Sequence, residues 1–122
     1  MTLKVSEIIG ATGAFKIIND ATSNATAETN VTGTSGSIYA IDIGVAGSSG
    51  FSHTKFKLTS GTATVGTTEP DLQLICPAGG SERYDFPNGL PFNQLTFWST
   101  DDFPPADTTN PSNTTIVTIL TS

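Results

Sequence analysis

Acid–base and nucleophilic chemistry has few groups to draw on in this chain: one histidine, His53, one cysteine, Cys76, and one arginine, Arg83. A serine nucleophile would have to be activated through His53, because a hydroxyl needs an adjacent base. In FSHTKFKLTS (Phe51 to Ser60) strand alternation puts Phe56 and Leu58 inward and His53, Lys55 and Lys57 on the opposite, outward face. His53 there reads as a solvated side chain. The three residues form the chain's one basic stripe, either solvated or turned toward an acidic partner.

Cys76 lies in ICPAGGSERYDFPNGLPF, a stretch dense in turn residues. A reactive thiolate needs a cation or a helix N-terminus beside it. Arg83 is the cation within reach across the turn, yet Cys76 closes an apolar alternation with Leu72 and Leu74 and reads as a small buried hydrophobe. Ala-Gly-Gly-Ser lacks the Gly-Lys-Ser/Thr and the following helix of a phosphate-binding loop. It reads as a turn between two strands, with Phe86-Pro87-Asn88-Gly89-Leu90 as a second corner.

Paired carboxylates carry glycoside hydrolysis only at a fixed separation, which nothing in the spacing of Glu69, Asp71, Asp101, Asp102 and Asp107 implies. Asp101, Asp102 and Asp107 with loop carbonyls offer calcium ligands. They lack the alternate-residue spacing and central glycine of a dedicated loop, so polar loop tips are the plainer reading. Trp98 beside Asp101 and Asp102 is the one combination suited to a sugar. No catalytic residue, cofactor or metal is expected, and the chain is not expected to be an enzyme.

The elements that hold these residues are strands. The 122 residues suit one domain. Charged residues make up only 13%, about half the usual share. Ser and Thr take up the difference; Thr, being β-branched, favours strands whose other face is wet. SIYAIDIG places Tyr39, Ile41 and Ile43 on one face; ERYDF sets Tyr84 and Phe86 against Arg83 and Asp85. LTFWST and TIVTILTS are apolar on both faces, as in strands central to a sandwich or covered by a neighbouring subunit. Between them runs DDFPPADTTNPSN, a proline-rich loop barred from a sheet interior.

Seven or eight short strands in one domain predict an all-β, two-layer antiparallel sandwich of jelly-roll or immunoglobulin-like type. Residues 1–13 are expected to be a short N-terminal arm, either helical or extended, detached by Gly10 and Gly13 from a domain spanning residues 14–122. A possible edge strand lies near Ala27 to Val31.

A net charge of −6 disfavours binding to a phosphate backbone, so no nucleic-acid partner is expected. Nothing approaches the roughly 18 apolar residues of a membrane helix. Ser6 and Glu7 interrupt the early apolar residues, so a secretory leader is not expected and the chain is placed in the cytoplasm or a particle assembled there. Sequons at Asn24, Asn30 and Asn113 are then without consequence. Phe86, Phe92, Phe97, Trp98 and Phe103 crowd into one region, and alternation sends Phe97 and Trp98 to opposite faces. Core filling accounts for most of them; an oligomer interface including Trp98 and Phe103 is the second reading.

VGTTEPDLQLICPAGGSERYDFPNGLPF, with GSIYAIDIG and TKFKLTS before it and TIVTILTS after it, resembles a recurrent pattern in small bacteriophage structural proteins. The resemblance covers about Ser37 to Ser122 and consists of strands and turns. It implies a virion component: a capsid decoration (cement) protein, forming a homotrimer at capsid symmetry axes and bound to the major capsid protein, or else a tail- or fibre-associated module. It also implies an N-terminal arm that grips the shell, here through Leu3, Val5, Ile8 and Ile9. A carbohydrate-binding sandwich is the competing reading.

Overall fold

The computed structural model describes residues 3–10 and 13–122, and only the backbone for residues 7–10, 13 and 14. Eight strands follow in order: β1 (Leu3–Gly10), β2 (Gly13–Asp20), β3 (Gly36–Val45), β4 (Phe51–Lys57), β5 (Leu72–Pro77), β6 (Ser81–Phe92), β7 (Thr96–Thr100) and β8 (Thr115–Thr121). They form two antiparallel sheets, a five-stranded one in the order β1-β2-β8-β3-β6 and a three-stranded one in the order β5-β4-β7. Among the described residues no helix is long and apolar enough to cross a membrane.

The inner faces follow from alternation. Ile18, Ile41, Ile43, Val117 and Ile119 of the larger sheet meet Phe56, Leu74, Cys76 and Phe97 of the smaller one, all buried. Full burial of such side chains is worth roughly 1.5–3 kcal/mol each. Phe56 and Phe97 stack at 5.9 Å between ring centroids, as cross-strand partners on β4 and β7. Several buried hydroxyls between the sheets pair with one another: Ser99 contacts Ser23 at 2.7 Å and Thr54 at 2.9 Å, and Thr115 donates to Ser52 at 2.8 Å, whereas the buried Thr121 hydroxyl finds no partner among the described residues. The paired ones escape the cost of a lone buried hydroxyl.

Three expectations change. Residues 3–10 are a strand of the larger sheet rather than a detached arm. β1 pairs with β2 along its length, from Leu3↔Asp20 to Gly10↔Gly13, so the two glycines face each other across paired strands instead of detaching an arm. Tyr39 does not share a face with Ile41 and Ile43. A bulge between Ile38 and Ala40 shifts the register, so Ile38 fills the core and the Tyr39 ring meets Phe15 edge-on at 6.0 Å. Phe86 to Gly89 are not a corner: they bulge from β6, whose pairing with β3 resumes at Ile38↔Leu90, with Gly89 at φ 80°. The segment near Ala27 to Val31 does line an edge, through a bridge between Glu28 and Phe97 and a bond from Val31 N to Leu95 O at 2.9 Å.

Candidate functional site

Trp98 and the basic stripe lie on the outer face of the three-stranded sheet. The register sets Lys55 beside Trp98, His53 beside Thr100 and Ile75, and Lys57 beside Thr96. This face is not solvated. Lys55 and Trp98 are fully buried and His53 nearly so. Alternation gave the face correctly but could not say that the proline-rich loop returns over it.

Residues 101–109 act as that cover. The Lys55 ammonium donates to the carbonyls of Pro104 at 2.8 Å and Asp102 at 3.3 Å. Thr100 donates to Asp102 O at 2.9 Å, and Gln73 to Phe103 O at 2.9 Å. Burial pushes the Lys55 pKa down, opposed by the nearby carboxylates of Asp107 and Asp102. His53 Nδ1 and Trp98 Nε1 are buried on the same face with no hydrogen-bond partner among the described residues.

The three carboxylates proposed as calcium ligands hold the strap's own backbone. Asp101 accepts from Ser112 N and Oγ, Asp102 from Phe103 N, and Asp107 from Asp102 N and Thr109 N. Burial alone would raise the Asp107 pKa; the amides of Thr109 and Asp102, with the Lys55 charge, outweigh it and hold it below the ordinary value. Among the described residues no three His, Cys, Asp or Glu side chains group so as to hold a metal.

Trp98 is therefore corrected as a site residue: its ring, buried within the single chain, offers no platform to a sugar or a second subunit. Phe103 is different. It stands 63% exposed at the strap's crest, its ring 6.2 Å from that of His53. Phe51, 52% exposed, and Ile75, 44% exposed, lie on the same outer face. Alternation already sets these two outward, Phe51 in step with His53 and Ile75 opposite Leu72, Leu74 and Cys76, but it could not tell that they stay uncovered while His53 and Lys55 do not.

No family model, characterised protein or solved structure matches the chain.

Cys76 lies in the core as expected, its thiol directed at Ile43 O at 3.4 Å, and burial pushes its pKa up. Arg83 is 2.7 Å from Asp42 and 2.9 Å from Asp85, so its charge is spent on the outer face of the larger sheet rather than on the thiol. A polar cleft of about 250 Å³ lies between Ser23, Asn24, Asn110, Ser112, Asn113 and Thr115. Its lining has no titratable side chain, and its asparagines brace loops: Asn110 accepts from Ala25 N at 3.1 Å and Asn113 donates to Ser49 O at 2.9 Å.

The gripping residues assigned to an arm now belong to a hairpin. β8 pairs with β2 only from Lys16 onward, so the rungs Ile8↔Phe15, Ile9↔Ala14 and Gly10↔Gly13 run past it as a two-stranded extension. Three rungs span about 10 Å. Leu3 packs against the core, whereas Val5 is 44% exposed. The side chains of Ile8 and Ile9 lie outside the described residues.

Proposed function

We propose that this chain is a non-enzymatic structural protein of a bacteriophage particle, a capsid decoration protein that binds the shell and staples neighbouring subunits. The observation that carries the reading is the β1–β2 hairpin, which runs three rungs past β8 with isoleucines at positions 8 and 9. A two-stranded extension has few tertiary contacts of its own and gains stability by docking on another surface. The resemblance of Ser37 to Ser122 to small phage structural proteins supports the same role. Exposed Phe51, Ile75 and Phe103 supply a second apolar area.

The mechanism is mechanical. Apolar hairpin and strap residues cover themselves against the major capsid protein, and many copies on one lattice turn modest contacts into durable occupancy. Val5, Ile8 and Ile9 make the contact in this reading, while Leu3 serves the fold. The test is occupancy on purified shells of the chain carrying Ile8→Ser and Ile9→Ser together. Occupancy at least tenfold below wild type is expected, as two lost apolar anchors imply at about 1.4 kcal/mol per factor of ten. Undiminished occupancy rejects the hairpin, and wild-type chain bound to tails rather than heads assigns it to a tail or fibre module.

A further inference from the structure

Of the seven asparagines, Asn88 alone precedes a glycine. The pair lies where β6 leaves its partner. Between the rungs Ala40↔Asp85 and Ile38↔Leu90, β3 has one residue, Tyr39, whereas β6 has four, Phe86 to Gly89, none with a register partner. Asn88 is exposed there, and its side-chain amide makes no hydrogen bond among the described residues. The side-chain amides of Asn19, Asn24, Asn110 and Asn113, by contrast, are each held by a hydrogen bond of 2.8 to 3.1 Å.

The fold itself requires the glycine. Gly89 holds φ 80°, and a Cβ there would come within 3.0 Å of Ser37 Cβ and 3.2 Å of Tyr39 Cε1. The same requirement leaves the Gly89 amide nitrogen with no side chain beside it. After the other asparagines the nitrogen is shielded or inert. Asp20, Ala25, Val31, Gln94 and Thr114 carry a Cβ next to it, and Pro111 has no N–H to lose.

We propose that Asn88-Gly89 is a modification site, at which the folded chain deamidates and forms isoaspartate without an enzyme. The Gly89 nitrogen, having given its proton to a base, attacks Asn88 Cγ. An N–Cγ bond forms, the bond from Cγ to the side-chain nitrogen breaks, and that nitrogen leaves as ammonia with a proton from solvent. Water then opens the resulting succinimide. Opening at Cγ gives aspartate; opening at the Asn88 main-chain carbonyl gives isoaspartate, whose backbone runs through Cβ and Cγ. Water is taken up and ammonia released, with nothing oxidised or reduced. Either product adds one negative charge to a chain already at −6. Isoaspartate also lengthens β6 by one carbon, at the place where that strand already bulges and has slack to absorb it. The chain thereby carries a chemical record of its age, whether or not it serves a virion.

Ageing the folded full chain at neutral and mildly alkaline pH tests this. Cleavage after Arg83 releases Tyr84–Ser122, which holds Asn88, Asn93, Asn110 and Asn113, for sequencing by mass spectrometry. Aspartate and isoaspartate are expected at position 88 at least about tenfold faster than any change at the other three. The rate is expected to rise with pH, as more of the attacking nitrogen is deprotonated. Asn88→Ser, at an exposed position, is expected to fold and to yield neither product. A synthetic peptide spanning Asp85–Pro91 sets the unhindered rate, and the folded chain is expected to come within about tenfold of it. A slower rate in the folded chain, a smaller lead over the other asparagines, or indifference to pH overturns the proposal.

Discussion

The outer faces of the two sheets invert the usual assignment of polarity. That of β5-β4-β7 holds a lysine, a histidine and a tryptophan, all buried, with residues 101–109 lying over the lysine and the histidine. That of the larger sheet carries Ile17, Leu120 and Ile116, which stay partly exposed. A polar face can be dried when a strap supplies acceptors in place, as the carbonyls of Asp102 and Pro104 do for Lys55. An apolar face left open needs no such fitting and is suited to a cover that arrives from outside. What shields a strand is thus set by where the long loops return, and residue polarity alone does not reveal it.

The comparison is broken most severely by reversing the charge under the strap. Lys55→Glu sets a carboxylate against two carbonyls in a dry site and is expected to destabilise the fold by about 3–5 kcal/mol in denaturant titration. Lys55→Met, which removes the charge and keeps the volume, is expected to be near neutral in the same titration.

Asp107→Ala loosens the strap by removing the acceptor of two amides, an expected cost of about 1–2 kcal/mol at pH 7. Hydrogen exchange should speed up at Asp102 and Thr109. Because the folded pKa of Asp107 is depressed, its contribution is complete above the unfolded carboxylate value of about 3.9 and is lost as pH falls through the folded value. The stability gap between wild type and Asp107→Ala should therefore close in acid; a gap unchanged at pH 2 would contradict the strap's dependence on that carboxylate.

The smallest effect sharpens the other side. Ile116→Lys places a charge on the open face and is expected to change monomer stability by no more than about 0.5 kcal/mol. A loss of several kcal/mol would show that the face is covered within the chain.

Much of the fold was legible. Alternation found the inward sets Leu72, Leu74 and Cys76 on β5 and Tyr84 and Phe86 on β6, because sheet geometry is local to two residues. It failed at Tyr39, where one bulged residue flips the pattern, and at the N-terminus, where two glycines that read as a hinge end two paired strands. The surfaces were harder to read. LTFWST is apolar on both faces, and the sequence could not tell a neighbouring subunit from the chain's own strap as its cover.

The central claim, that the uncovered surfaces serve a phage particle, is tested most directly by quantifying the chain in density-purified heads against the major capsid protein. A fixed stoichiometric ratio that persists through purification is the predicted result. Heads free of the chain, with all of it recovered in the soluble fraction, would contradict it.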